Sequence, residues 1–404
     1  MTAIAEETNG SFRLSQLVYD TRYRSLTIQA VALMAFMLFI GWLISNAVTN
    51  LEALGKDFDF SFLGQPAGYD INQRLIEYDS QSTHGRAAMV GILNTLLVAV
   101  LGCITCTIIG VVAGVLRLSN NWLVARIMSI YVEAFRNVPV LIWILIVMAV
   151  FIDTMPPPRA FRGDEPDATM LFGAIAVTNR GVYVPSLVWG PGSGVVLVAL
   201  AASIVGMFVF ARYAKKKQEA TGETMPVFWI NLAILFVPAF LVFFIAGRPI
   251  GMEYPALQGF NFQGGVHLRN SLIALWIALS LYTGAFVAEN VRAGILSVSK
   301  GQSEASAALG LQPSTTMRLV ILPQALRVIV PPMISNYLNL TKNSSLAIAV
   351  GYMDATGTLA GITLNQTGRE MESILLLMAF YLTASLTISA FGNWYNASVK
   401  LKER

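Results

Sequence analysis

The sequence predicts an all-α protein that crosses a membrane about eight times. Of its 404 residues, 55% are hydrophobic and only 12% are charged, whereas water-soluble globular proteins carry about 25% charged residues. Apolar stretches long enough to cross a bilayer recur along the chain, and most Lys and Arg residues fall in every second connection between them. This composition leaves no room for a large water-soluble enzyme domain, so we expect a polytopic membrane protein.

Eight segments are candidate transmembrane helices, because about 20 apolar residues are needed to cross the hydrocarbon core. The third candidate is short and is expected to extend at one end, and the seventh is the weakest because Pro331, Pro332 and a polar patch interrupt it. In chain order the segments are 26–48, 88–116, 138–152, 193–211, 226–247, 270–288, 328–353 and 373–395.

The distribution of positive charge predicts the orientation, because cytoplasmic loops are rich in Lys and Arg. An N-terminus on the cytoplasmic side places most of the 27 Lys and Arg residues there, with Lys215–Lys217 as the strongest anchor in what we expect to be a solvated loop. Both termini are therefore expected in the cytoplasm, and no cleaved signal peptide is expected. The long outer segments 49–87, 153–192 and 248–269 either dock an external partner or simply connect spans.

The sequence lacks the usual signals of a metal or nucleotide site. Two Cys and two His residues give no metal-binding pattern, and no GxxxxGK[ST] phosphate loop is present. We therefore expect no metal and no cofactor in this chain. Cys103 lies beside a repeat of Gly102, Cys106, Gly110 and Gly114, which predicts close helix packing rather than a redox pair.

One polar segment, GQSEASAALGLQPSTTMRLVILPQALR, separates the sixth and seventh candidate spans at Gly301–Arg327. Ser303 can cap a helix that starts at Glu304 and stops at Gly310. Pro313 can open a second helix. We expect a bent protrusion below the bilayer that a cytoplasmic partner binds, and the alternative is an ordinary connecting loop.

This segment resembles the E-A-A-x-x-x-G…I-x-L-P coupling motif of ABC importer permeases, in EASAALG and ILP. The flanking stretches AENVRAGILSVSKGQSEA and LPQALRVIVPPMISNYLNLTKNSSLA, and the earlier GILNTLLVAV and EAFRNVPVLI, are similar to permeases for polar amino acids. The extra first span and the inserted fourth and fifth spans are most similar to general L-amino-acid permeases of Gram-negative bacteria. The resemblance implies a type I ABC importer permease core with extra helices.

The resemblance also implies how the chain is organised. Segment 1–87 would hold a cytoplasmic N-terminus, the extra helix and a periplasmic loop, and 153–269 a periplasmic loop and the inserted helices. Segments 88–152 and 270–395 would form the two parts of the core, with the coupling helix at 301–323, and 396–404 would be a cytoplasmic tail.

The partners implied are those of a bacterial inner-membrane importer. They are two ATPase subunits that bind ATP and Mg, a second permease that is related rather than identical, and a periplasmic amino-acid-binding protein. ATP-driven closure of the ATPases would move L-amino acids into the cytoplasm by alternating access. This chain would not itself be an enzyme, and no nucleic acid is expected.

By the same resemblance, the coupling helix inserts into a cleft on an ATPase subunit. Glu304 would offer a charged acceptor, Gly310 a sharp bend, and Pro323 the exit toward the seventh span. Ser306 replaces the usual second alanine, and Asn137 and Val138 replace a frequent Gly-Thr. The coupling residues implied are Glu304, Ala305, Ser306, Gly310, Leu322 and Pro323.

Polar residues of the seventh span are candidates for the substrate path. Asn336, Asn339 and Asn343 recur at helical spacing on one face, and such groups line a cavity or a protein interface. Family members for cationic amino acids often carry acidic residues at positions 336 and 343, so amides favour a broad range of L-amino acids. The alternative is interhelical hydrogen bonding. The full candidate set is Asn336, Asn339, Lys342, Asn343, Ser344, Ser345 and, in the sixth span, Tyr282.

Structural roles rank ahead of substrate contact for two of these candidates, Lys342 and Tyr282. Four charged residues at the cytoplasmic ends of spans are either gate-closing ion pairs or, more commonly, solvated charges: Glu133, Arg136, Glu289 and Arg292.

Two other classes of protein compete with the importer interpretation. A secondary transporter or channel would need its own ion site, and the candidate spans contain no carboxylate. A membrane-anchored scaffold would not need the protrusion.

Overall fold

The computed structural model describes residues 21–53, 55, 58–163 and 166–399. It divides the chain into two compact units, Met1–Phe60 and Ser61–Arg404. The first unit contains helix α1 (Thr21–Ala53), whose 33 residues exceed the length needed to cross a bilayer. Apolar side chains such as Leu38 and Trp42 are exposed along α1. The first predicted span is therefore a single helix.

The second unit is built mainly from helices. Among the described residues, seven helices of the chain are long and apolar enough to span a membrane, and the bent pair α3–α4 makes an eighth. The predicted number of about eight is confirmed. The helices are α2 (His84–Leu116), α3 (Trp122–Asn137), α4 (Val140–Thr154), α5 (Ser193–Thr221), α6 (Val227–Ile245), α7 (Asn270–Leu296), α8 (Lys300–Ala308), α9 (Pro313–Val350) and α10 (Glu370–Val399).

The third predicted span extends on its N-terminal side across a sharp bend. Helices α3 and α4 meet at 110°. Val138 has an extended backbone, with φ of −109° and ψ of 134°, because the ring of Pro139 disfavours a helical residue before it. The Asn137–Val138 corner is therefore the bend between these two helices.

Two predicted segments continue as helix through charged or proline-containing sequence. Helix α5 runs to Thr221 and ends before Gly222, whose φ is +73°. Lys215–Lys217 consequently lie on a helix rather than in a loop. Helix α9 continues through Pro331 and Pro332, since neighbouring helices in a membrane bundle can compensate for a lost backbone hydrogen bond.

The predicted outer segments contain short strands as well as loops. Strands β1, β2 and β7 form a three-stranded antiparallel sheet, β3 pairs with β4, and β5 pairs with β6. The prediction of a mainly α-helical membrane protein is confirmed, and these strands are an addition to it. Strands of three or four residues are too short to show a reliable alternation in the sequence. The strands are β1 (Ala176–Thr178), β2 (Gly181–Val184), β3 (Ser186–Trp189), β4 (Ile250–Glu253), β5 (Ala256–Gln258), β6 (Asn261–Gln263) and β7 (Val266–Arg269).

Helix α7 is the most buried helix of the bundle, and α2 packs along it through the predicted small-residue stripe. A Cβ placed on Gly110 would lie 2.5 Å from Val287 Cβ, and one on Gly114 would lie 2.6 Å from the Ala288 carbonyl oxygen. Only glycine permits this approach, which confirms the packing role of the stripe.

The predicted outer segments meet at one end of the bundle, and α8 follows α7 at the other. The Asn94 Nδ2 donates to the Gln73 and Met353 carbonyls at 2.7 and 2.8 Å. The Arg269 N–H donates to Gln73 Oε1 at 3.2 Å. We call the end where the outer segments meet the β end, and the end that carries α8 the α8 end.

Candidate functional site

The protrusion predicted at 301–323 is present as helix α8 followed by a tight turn. The Leu311 N–H donates to the Ser306 carbonyl at 3.1 Å, and the Gly310 N–H donates to the Ala307 carbonyl at 2.9 Å. This pair of bonds is a Schellman motif. Gly310 has a φ of +74°, a conformation that favours glycine, so it is the helix-stop residue that the sequence predicted.

The start of α8 differs from the prediction. Ser299, rather than Ser303, is the N-cap residue, and Lys300 is the first residue of the helix. The Ser299 side chain makes no capping hydrogen bond, and Ser303 lies inside the helix. A serine capping bond therefore does not set the start of α8. Glu304 therefore lies in the second turn rather than at the helix start.

The side chains of α8 divide into an exposed face and an inner face. Glu304 and Ala305 are exposed. Ser306 is only 4% exposed, and its Oγ donates to the Gln302 carbonyl at 2.7 Å. The serine that departs from the family motif thus lies on the inner face, while Glu304 and Ala305 are accessible to another chain.

A π turn lies between α8 and the apolar part of α9. The turn consists of Met317–Ile321. At its end, the Leu322 N–H donates to the carbonyl of Met317, five residues earlier in the chain. The wider turn precedes Pro323, which has no N–H to donate to an α-helical pattern. Leu322 and Pro323 are both exposed. Pro323 lies in the first turn of the regular α-helical part of α9, Leu322–Asn343, and its predicted role as the exit toward the seventh span stays a prediction.

The polar candidates of α9 form an exposed stripe with two half-buried amides beside it. Ser335, Asn339 and Lys342 are exposed at helical spacing, whereas Asn336 and Asn343 are half-buried. The Nδ2 atom of Asn336 is buried and has no hydrogen-bond acceptor among the residues that the structure describes. A buried amide N–H without an acceptor lowers the stability of the folded state, unless a further group accepts its hydrogen bond.

The two candidate serines are bonded within their own helix. Ser344 is fully buried, and its Oγ donates to the Thr341 carbonyl at 2.7 Å. The Ser345 Oγ donates to the Lys342 carbonyl at 2.8 Å. These bonds account for the hydroxyl protons of both residues.

Tyr282 lies on α7 and is packed with other aromatic groups. Its ring centroid is 5.1 Å from that of Phe286, and its side chain packs against the main hydrophobic core. The guanidinium carbon of Arg136 lies 5.3 Å from the Phe286 ring centroid. Aromatic packing therefore accounts for Tyr282, as the sequence had favoured.

Charged side chains near the α8 end form a network of ion pairs. Sequence analysis had considered ion pairing less common for these residues than solvated charges. The carboxylate of Glu289 pairs with Arg117 and lies 2.7 Å from Arg292 and 3.9 Å from Arg136. The Glu289 side chain is 24% exposed, and that of Arg117 is 12% exposed. Glu133, by contrast, is exposed. The network joins α2, α3 and α7.

Sequence analysis missed a fully buried carboxylate, Asp354, which lies just after α9. It is fully buried, its Oδ1 accepts from the Gly357 N–H at 2.8 Å, and the Tyr381 hydroxyl donates to Oδ2 at 3.3 Å. An aspartate before a helical turn is a familiar N-cap signal, and the π-helical turn Thr356–Thr363 follows here. This carboxylate therefore caps a turn, and the capping pattern was the signal available in the sequence.

Comparison with known proteins identifies the family. Residues 220–401 match the model of the family described as binding-protein-dependent transport system inner membrane component. The chain is similar to the amino acid ABC transporter whose crystal structure was determined with histidines, at 18% identity and a TM-score of 0.45, over 78% of this chain and 95% of that one.

Two relatives match over almost the full length. The chain is 53% identical to the glutamate/glutamine/aspartate/asparagine transport system permease protein BztB of Rhodobacter capsulatus, over 100% of both proteins. It is 43% identical to the general L-amino acid transport system permease protein AapQ of Rhizobium johnstonii, over 98% of this chain and 97% of that protein. The chain therefore belongs to the family of inner-membrane components of binding-protein-dependent transport systems, as a permease subunit.

Proposed function

We propose that this chain is one of two permease subunits of an ABC importer that carries L-amino acids from the periplasm into the cytoplasm. Two separate ATPase subunits drive alternating access, and a periplasmic binding protein delivers the substrate at the β end. The α8 end faces the cytoplasm, and the proposal includes the predicted cytoplasmic location of both termini. The second permease is a related chain. The pair transports a broad range of L-amino acids, including those with acidic and amide side chains.

One observation carries this proposal: α8 is a short helix whose outer side chains are free to contact another protein. Glu304 and Ala305 are exposed, whereas Ser306 is buried on the inner face. A Schellman turn at Gly310 holds the end of the helix. Closure of an ATPase around such a helix would pass motion directly to α7 before it and α9 after it.

Replacing Glu304 with lysine is expected to weaken binding of the ATPase and to lower amino-acid uptake at least about tenfold. The change reverses a charge in a desolvated contact, where an unpaired charge costs several times the free energy of a tenfold effect. Co-purification of the ATPase in detergent and uptake into proteoliposomes measure the two effects.

Glu133→Lys is the matched control, since it reverses the charge of an exposed glutamate on α3. Equal loss in both variants, or none in Glu304→Lys, would contradict the coupling role. Amino-acid uptake by the purified chain alone, driven by a proton gradient, would instead favour a secondary transporter.

Asn336→Glu is expected to raise the preference for arginine over glutamate by about tenfold, because a carboxylate near the path attracts a cationic side chain. Asn336 is half-buried beside the exposed stripe of Ser335, Asn339 and Lys342, which supports a position near the path. Competition between the two amino acids in uptake assays measures the ratio, with Asn336→Gln as a neutral control. An unchanged ratio in Asn336→Glu would assign Asn336 to helix packing.

A further inference from the structure

The inserted helices α5 and α6 form a hairpin that packs chiefly on itself. The two helices approach closely at Gly206, where an added Cβ would lie 3.3 Å from Ile234 Cγ2. Large apolar side chains point outward along the hairpin, including Val198 at 69% and Phe240 at 61% exposure. A surface of this kind is compatible with the interior of a bilayer on most of its sides.

The tip of the hairpin, at 212–229, is strongly charged. Arg212, Lys215 and Lys216 are exposed on the last turns of α5. Two carboxylates lie near the lysines, since Lys215 is 3.9 Å from Glu219 and Lys217 is 2.9 Å from Glu223. Cations outnumber anions, so the tip keeps a positive charge.

Aromatic side chains lie beside these cations. Tyr213 is 56% exposed on α5, and Phe228 and Trp229 are 69% and 68% exposed at the start of α6. Tyr and Trp concentrate at the level of the lipid headgroups, where an amphipathic ring meets both water and hydrocarbon. A helix that continues past its apolar part into a basic stretch therefore crosses the headgroup layer at this point.

We propose that the hairpin tip binds the headgroups of anionic phospholipids. This inference rests on the proposed function for its membrane setting and for the cytoplasmic side of the tip. Basic clusters next to a membrane span attract anionic lipids, by about fivefold in binding for each Lys or Arg near the surface. The exposed cations provide the attraction, and the aromatic residues fix their depth. Glu219 and Glu223 reduce the attraction by occupying two of the lysines.

The test compares lipid retention by charge variants of the full chain. The protein is purified from membranes of mixed phosphatidylglycerol and phosphatidylcholine, and bound lipids are counted by native mass spectrometry. The triple variant Lys215→Gln, Lys216→Gln, Lys217→Gln is expected to lose the enrichment in phosphatidylglycerol by at least about tenfold. The double variant Glu219→Gln, Glu223→Gln is expected to increase it.

The opposite directions of these two variants separate lipid binding from a loss of folding. Arg126→Gln, which removes one exposed arginine on α3, is the single-charge control and should lower the enrichment by no more than about fivefold. Equal enrichment in wild type and the triple variant overturns the proposal. Loss of a co-purifying second permease in the triple variant, with lipids unchanged, assigns the tip to protein contact and also overturns it.

Binding of the ATPase is measured in the same preparations, and it should be normal in all these variants. If Glu304→Lys leaves ATPase binding unaffected while lipid retention follows the charge of the tip, the proposed function fails and the lipid inference stands. The reverse pattern would overturn the lipid inference alone.

Discussion

Replacing Gly110 with alanine is expected to lower the free energy of unfolding by about 1–3 kcal/mol, although alanine is the better helix former by about 1 kcal/mol. The new Cβ would lie 2.5 Å from Val287 Cβ and 2.9 Å from the Gly284 carbonyl oxygen. Neither atom is the end of a flexible side chain, so α2 and α7 would have to separate. Denaturant unfolding of the purified protein in detergent measures the loss.

Gly41→Ala is the matched control for this prediction. Gly41 lies within α1, and nothing lies within 4 Å of a Cβ placed there. We expect this variant to be as stable as the wild type or slightly more stable, because only the helix propensity changes. If Gly110→Ala proves as stable as Gly41→Ala, the close contact between α2 and α7 does not contribute as described.

Glu289→Gln is expected to cost about 1–3 kcal/mol of stability. Removing one partner of a buried ion pair costs about 3–5 kcal/mol, and solvent screening reduces this figure because the Glu289 side chain is 24% exposed. The amide would leave Arg117, Arg136 and Arg292 with no anion between them. Thermal unfolding of the purified chain provides the measurement.

A double-mutant cycle tests whether the cost arises from the ion pairs. Arg117→Gln should destabilise the wild type more than it destabilises Glu289→Gln, since its partner is already absent from the second background. Glu133→Gln, which changes an exposed glutamate, should have little effect. Additive effects of Arg117→Gln and Glu289→Gln would show that the two residues do not interact.

The sequence was a good guide where the structural signal is local. Gly310 and Pro313 marked the end of one helix and the start of the next, and both positions agree with the structure. The apolar stretches located the spans, because the bilayer fixes the length of hydrophobic sequence that a helix needs. The repeat of small residues in α2 predicted close packing without identifying α7 as the partner.

Features that depend on distant residues could not be read from the sequence. Arg117 and Glu289 are separated by 172 positions, so within this network only the Glu289–Arg292 pair, on one helix, had a spacing that indicated contact. The extension of α5 through Lys215–Lys217 also went unrecognised, since good helix formers that carry charge resemble a solvated loop. At the β end, the pairs β2–β7 and β3–β4 join strands on opposite sides of the inserted hairpin.

The glycine stripe between α2 and α7 has a mechanical consequence. At Gly110 and Gly114 the two helices touch through backbone and Cβ atoms, so there is no layer of adjustable side chains that would let one slide along the other. We therefore expect helices α2 and α7 to move together as one rigid body. We expect the flexing that opens and closes a passage where the chain departs from a regular α-helix, for example at the corner before Pro139 and at the widened turn before Pro323.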